Sequence, residues 1–119
     1  MKILNRKSIR PYITLDKSSI RELVSHRNSS IKGLSIAEAV VLPEKETSLH
    51  IHKTSQEVYF ILSGKGRMQI GKQSKIVKRS DTIVILPKQK HRIRNIGKSN
   101  LIFLCICAPC YEHKDTKIL

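Results

Sequence analysis

The chain has 119 residues, enough for one domain with a core of its own and too few for a second. It carries 23 lysines and arginines against 9 acids, a net charge of +14 that favours acidic partners, while an apolar content of 39 % excludes a disordered chain. No stretch is long and apolar enough for a membrane span, and three crowded cysteines (Cys105, Cys107, Cys110) do not make a disulfide framework.

In chain order, Met1 to Ile13 carries Lys2, Arg6, Lys7 and Arg10 with no apolar block behind them. That is not a secretory signal, so a cytoplasmic location is expected. Residues 1–34 form an N-terminal extension. Within it Ser18 to Ser25 predicts a short helix, capped by Asp16 and striped by Ile20, Leu23 and Val24. From Ser35 the pattern changes. Strands are predicted at Ser35–Leu42, Ser48–Lys53, Glu57–Leu62, Arg67–Ile70, Ser74–Val77, Thr82–Leu86, His91–Ile96 and Leu101–Ala108. Turn residues separate them, among them Ser63-Gly64-Lys65-Gly66 and Gly97-Lys98. Short strands at such regular spacing define an all-β sandwich or barrel over residues 35–119.

Two of these strands are apolar on both faces. Val58, Phe60 and Leu62 lie on one side of their strand with Tyr59 and Ile61 on the other, and Leu101 to Ala108 shows no polar alternation. A barrel strand with one wet face would alternate. Something therefore covers the outside, either the N-terminal segment or a second copy, and a homodimer through these strands is expected.

The chemistry lies between Leu49 and Asn95. His50 and His52 are two apart on a strand, so both imidazoles point one way and Ile51 the other. Glu57 begins the next strand across a short loop, and His91 opens a later one after Pro87. Three imidazoles and one carboxylate on adjacent strands suit one first-row divalent ion per chain, of the class Mn, Fe, Ni or Zn. A lone His-x-His on a strand is a weak signal; here three of the chain's five histidines fall at linked positions.

These residues resemble a known family. His50-Ile-His-Lys-Thr-Ser-Gln-Glu57 running on to Gly64 resembles the first cupin motif, and Asp81 to Asn95, with Pro87 and His91, resembles the second. Sixteen residues separate Gly64 from Asp81. The likeness extends from about Ser18 into the tail and is to small stand-alone cupins, loosely phosphomannose-isomerase-like. It implies a cupin double-stranded β-helix, a jelly-roll barrel, with His50, His52, Glu57 and His91 as the metal set. It does not imply a reaction, because this fold hosts many. In two places the family's usual glycine is missing: Lys88 follows Pro87, and Glu44-Lys45 precedes His50. These departures bear on turn conformation, since glycine accepts φ > 0 and lysine does so reluctantly.

Other residues have two readings each. Tyr59 shares the inward face of Glu57 and is a candidate proton donor, against an ordinary core tyrosine. His26 is a second candidate proton carrier, at the barrel mouth or a dimer contact. Gln69 lines the cavity or faces out; Glu38 is inward and functional or outward and ion-paired. The cysteines lack the four paired ligands of a structural zinc site and read as packing. Arg92 and Arg94 fall outward by parity with Lys90, a stripe able to meet phosphates, but no stacking platform or helix-turn-helix accompanies it, so nucleic acid is a remote alternative. The expected function is a metal-binding cupin acting on a small anionic metabolite by isomerase-, lyase- or dioxygenase-type chemistry, with a non-catalytic small-molecule sensor as the rival.

Overall fold

A computed structural model describes residues 1–119. Eleven strands run in chain order: β1 Tyr12–Ile13, β2 Ser19–Val24, β3 Ser35–Val41, β4 His50–His52, β5 Gln56–Ser63, β6 Lys65–Ile70, β7 Gln73–Lys78, β8 Thr82–Ile85, β9 His91–Asn95, β10 Leu101–Ala108 and β11 Thr116–Ile118. They form two antiparallel sheets. The first has the order β1-β2-β3-β10-β5-β8 and the second β11-β4-β9-β6-β7. This is the all-β double-stranded β-helix that the sequence leads one to expect. No helix is long and apolar enough to cross a membrane.

Strands β3 to β10 fall within a few residues of their predicted bounds, while β1 and β11 have no counterpart in the predicted set. The segment Ser18 to Ser25 is a correction: it is strand β2, not a helix. It pairs with β3 from Ser19 opposite Val40 to Val24 opposite Ile36. Three apolar residues fit a helical stripe, but an open β3 edge offers a whole ladder of hydrogen bonds, and tertiary pairing overrides weak local propensity. Asp16 caps no helix. Its Oδ1 accepts from the Ser18 amide at 2.9 Å, from the Ser18 hydroxyl at 2.6 Å and from the Thr14 hydroxyl at 2.5 Å, fixing the turn between β1 and β2. β2 is thus an integral strand of the larger sheet.

Between the sheets, three strands grade from polar to apolar in parallel. Inward residues run Glu57, Tyr59, Ile61 along β5; Cys107, Cys105, Phe103, Leu101 along β10; and His91, Ile93 along β9. Ile61, Ile93 and Leu101 are fully buried and anchor the core with Met68, Ile85, Phe103 and Val41. The ionisable residues gather at the opposite end. Beyond Ile93, buried Asn95 donates to the Val41 and Ser99 carbonyls and accepts from the Gly97 amide, so it is a structural clasp.

Glu44 and Lys88 occupy left-handed backbone, with φ of 69° and 67°. The turn geometry that glycine usually supplies is therefore kept without glycine, at about 1–2 kcal/mol per position. The outer face of the smaller sheet collects much of the positive charge: Lys65 sits opposite Lys78 and Arg67 opposite Arg94. Gln69 faces out and accepts from Arg92 Nε at 2.8 Å, so it does not line the cavity. On the larger sheet, Glu38 is outward and pairs with Arg6 Nη2 at 2.8 Å. Arg21 also holds the carbonyls of Arg6 and Ile9. The N-terminal segment is thus tied down over the β2–β3 side of this face.

Candidate metal centre

The short loop from β4 into β5 crosses from the smaller sheet to the larger, so His50 and His52 on one sheet face Glu57 on the other, and β9 pairs with β4 through His91 opposite His50. Glu57 Oε1 lies 3.2 Å from His52 Nε2 and 3.4 Å from His91 Nε2. The ligand atoms of all four residues lie within 4.8 Å of one another, and all four residues are buried. The structure therefore assembles the whole predicted ligand set.

The tautomers follow from the opposite ring nitrogens. His50 Nδ1 donates to the Ser48 carbonyl at 2.7 Å and His91 Nδ1 to the Gln89 carbonyl at 2.9 Å. His52 Nδ1 meets Thr116 Oγ1 at 3.1 Å, and that hydroxyl donates onward to the Glu112 carbonyl at 3.0 Å. A hydroxyl that has given its proton away can only accept, so His52 Nδ1 carries hydrogen. With Nδ1 protonated in each neutral ring, Nε2 presents a lone pair.

Three acceptors thus face one another. His52 Nε2, His91 Nε2 and Glu57 Oε1 are buried without a hydrogen-bond partner. Acceptors packed at 3.2–3.4 Å repel unless a cation lies between them. A first-row ion about 2.1 Å from each would set neighbouring ligand atoms about 3.0–3.4 Å apart, so the donor set fits such an ion in spacing and chemistry. Without an ion, a proton in the gap plays the same part. Burial pushes the Glu57 carboxyl up, but the His52 and His91 imidazoles outweigh it and hold the group well below the usual carboxylate range. Burial, reinforced by His91, lowers His50, leaving it neutral and ready to ligate. Burial also lowers His52, but Glu57 outweighs it and the net shift is upward: the gap that suits a metal ion also attracts a proton.

Three residues unmarked by either motif join the site. Cys107 donates its thiol proton to Glu57 Oε2 at 3.1 Å, which leaves Oε1 for the ion. Burial and the nearby Glu57 push this thiol far up, so it stays a donor. The sequence placed Cys107 on the same face as Cys105 but gave no reason to prefer Glu57 as its partner. Thr116 lies on β11, too short to read from periodicity. Asp16 reaches the cavity from the β1–β2 turn, with Oδ2 3.8 Å from His50 Nε2. Replacing Thr116 with valine keeps the shape and removes the acceptor for His52, and metal affinity is expected to fall about tenfold. A competition titration against a chelating dye checks it; unchanged affinity would mean Thr116 does not orient His52.

Tyr59 is buried, lies in the cavity wall and stacks on Phe103 at 4.6 Å between ring centroids. Its ring lies 6.2 Å from that of His91. His26 is not brought to the site: it is exposed, outside the cavity lining, with Nε2 3.2 Å from Glu112 Oε1. The role of proton carrier near the metal does not fit that position. Cys105 lines the cavity, whereas Cys110 lies 3.7 Å from Glu112, so the three thiols form no common site. The cavity itself is narrow, about 40 Å³, and its rim comes from β1, β2 and Tyr111.

Fold and site together define a β-barrel protein with a buried cluster of three histidines and one glutamate able to hold a metal ion. The Cupin_2 (cupin domain) family model matches residues 37–107, and the chain belongs to the cupin family. It is 48 % identical to an uncharacterized protein of Methanocaldococcus jannaschii, over 100 % of this chain and 97 % of the relative. Among solved structures it resembles a predicted oxalate decarboxylase of Thermotoga maritima (TM-score 0.80, 22 % identity, 91 % of this chain and 99 % of the other). It also resembles the polyketide cyclase RemF of Streptomyces resistomycificus (TM-score 0.84, 17 % identity, 100 % and 85 %). Identities this low carry the fold alone.

Proposed function

We propose that this protein is a metal-dependent cupin that takes a small oxygen-donor metabolite, neutral or singly negative, at a divalent ion held by His50, His52, Glu57 and His91. The observation that carries this reading is the trio of buried, partnerless acceptors His52 Nε2, Glu57 Oε1 and His91 Nε2. A bound ion of this kind supplies Lewis-acid polarisation of a substrate oxygen. The chain's own groups do the rest. Tyr59, raised well above its ordinary value by burial and the nearby Glu57, would donate rather than accept a proton. Ala37, Ile20 and Phe103 line the wall and limit water. A volume near 40 Å³ admits about three water-sized bodies, so only a small part of a ligand reaches the ion.

The positive charge of the chain would steer anions from a distance, but no lysine or arginine lines the cavity. Lys88 is exposed on its turn and touches the site only through its amide, which donates to the His52 carbonyl at 2.7 Å. An anion would therefore rely on the ion alone. The oxalate decarboxylase likeness makes decarboxylation one reaction to assay, beside isomerisation and oxygenation. Binding and turnover are measured over a panel of small hydroxy acids, hydroxyketones and dicarboxylates with and without metal. Metal-dependent turnover lost in Tyr59→Phe supports an enzyme; metal-dependent binding without turnover supports a sensor; binding that ignores the metal contradicts both.

We also propose a homodimer. On the outer face of the larger sheet Val58, Phe60, Leu62, Ile102, Leu104 and Ile106 form a continuous apolar surface, and Val84 on its edge is 62 % exposed. The N-terminal segment crosses the β2–β3 side, leaving the β10–β5–β8 side for a second copy. Light scattering is expected to give twice the chain's 13.6 kDa, reverting to one chain in Val84→Arg. A single-chain mass for the wild type at micromolar concentration would contradict it.

A further inference from the structure

The carboxylate of Asp16 has one oxygen occupied and one free. Oδ1 takes three donors, from Thr14 and Ser18. Oδ2 takes none and points at the ion-binding end of the cavity, 3.8 Å from His50 Nε2. The side chain is 15 % exposed, and Asp16 is among the residues that line the cavity. Asp16 stands outside the four-residue ligand cluster, so it is not a fifth ligand as placed. Nor is it neutralised by a cation: of the other two acids in the wall, Glu57 belongs to the ligand set and Glu22 is held by Arg27 at 2.9 Å, whereas Asp16 has no arginine or lysine partner.

A carboxylate oxygen in the cavity wall that no protein group donates to is open to a ligand, and a ligand that supplies a donor gains a charge-assisted hydrogen bond. A ligand without one brings its own lone pairs against Oδ2 and loses on both counts. The charge balance points the same way. A divalent ion is offset by Glu57 and again by Asp16, so a second negative charge on the ligand finds no excess positive charge in the wall.

We propose that Asp16 is the specificity-determining residue of this cavity, and that the ligand is a small oxygen chelator carrying a hydroxyl or N–H donor next to its chelating oxygens. Asp16 accepts that hydrogen while the oxygens face the ion. Donor-free dianionic chelators are disfavoured. This rests on the metal reading above and adds the class of ligand to it.

The test uses two hydroxamates with the same chelating oxygens, acetohydroxamate and N-methylacetohydroxamate, of which only the first has an N–H. Affinities for the Mn- or Co-loaded protein are measured by calorimetry or by the Co absorption spectrum, with metal content determined separately. Wild type is expected to bind acetohydroxamate about tenfold or more tightly than its N-methyl partner. In Asp16→Asn that difference should collapse to within about twofold, with metal content unchanged. Equal affinities in the wild type overturn the proposal, whether or not Asp16→Asn folds. A difference that persists in Asp16→Asn also overturns it, since a steric effect of the methyl group would persist there. Protein that takes up no metal fails at the earlier reading and takes this one with it; protein that holds metal and treats both probes alike fails here alone.

Discussion

Gly64→Ala is expected to destabilise the fold by about 2–5 kcal/mol and lower Tm by roughly 10–20 °C. Gly64 closes the first motif between β5 and β6 with φ +90°. A Cβ there would stand 2.7 Å from the Asn100 carbonyl oxygen and 2.8 Å from Leu101 Cα. Both are backbone atoms leading into β10, the strand that carries Cys107 to Glu57, so neither can step aside cheaply. Left-handed backbone accounts for about 1–2 kcal/mol and the clash for about 1–3 kcal/mol. Gly71→Ala separates the two terms: it has positive φ but nothing within 4 Å of its Cβ, so it should show the backbone cost alone. Thermal melts of both variants check this, and equal losses would remove the clash from the account.

The second large effect is expected at His91. Its side chain is fully buried, opposite His50 in the ladder and 3.4 Å from Glu57. His91→Ala removes one of four ligands, so metal affinity should fall at least a hundredfold, beyond the ten- to hundredfold typical of lost outer-shell partners. At an ion concentration about 100 times the wild-type dissociation constant, the ion should stabilise wild type by about 2.7 kcal/mol and a hundredfold weaker variant by about 0.4 kcal/mol. The metal-induced shift is the quantity to compare, because the variant also loses packing without the ion. A full-sized shift in His91→Ala would show that the ion binds elsewhere.

What could be read beforehand divides along physical lines. Strands from Ser35 to Ala108 announce themselves through short apolar runs set between turn residues; strand parity puts His50 and His52 on one face, and the likeness to the two cupin motifs adds Glu57 and His91. Ser18 to Ser25 misleads because Ile20, Leu23 and Val24 fit a helical stripe and do not alternate, the strand breaking register between Glu22 and Val24, and the open edge of β3, which makes it a strand all the same, is not a local property. Asp16, Cys107 and Thr116 share one difficulty. Each acts through a contact made across the fold, to His50, Glu57 and His52, and nothing in the neighbouring sequence of a lone aspartate, cysteine or threonine points to such a partner. The whole-chain charge has the converse problem: it counts residues without placing them, and its lysines and arginines lie outside the cavity wall.

The central claim is that His50, His52, Glu57 and His91 hold one divalent ion, and the most direct test is elemental analysis of protein purified without chelator, paired with melts before and after chelation. About one first-row divalent ion per chain, with a Tm that falls on chelation and recovers when Mn, Fe, Ni or Zn is returned, is the predicted result. Protein that carries no such ion and melts at the same temperature with chelator, with added metal and with neither would contradict the claim.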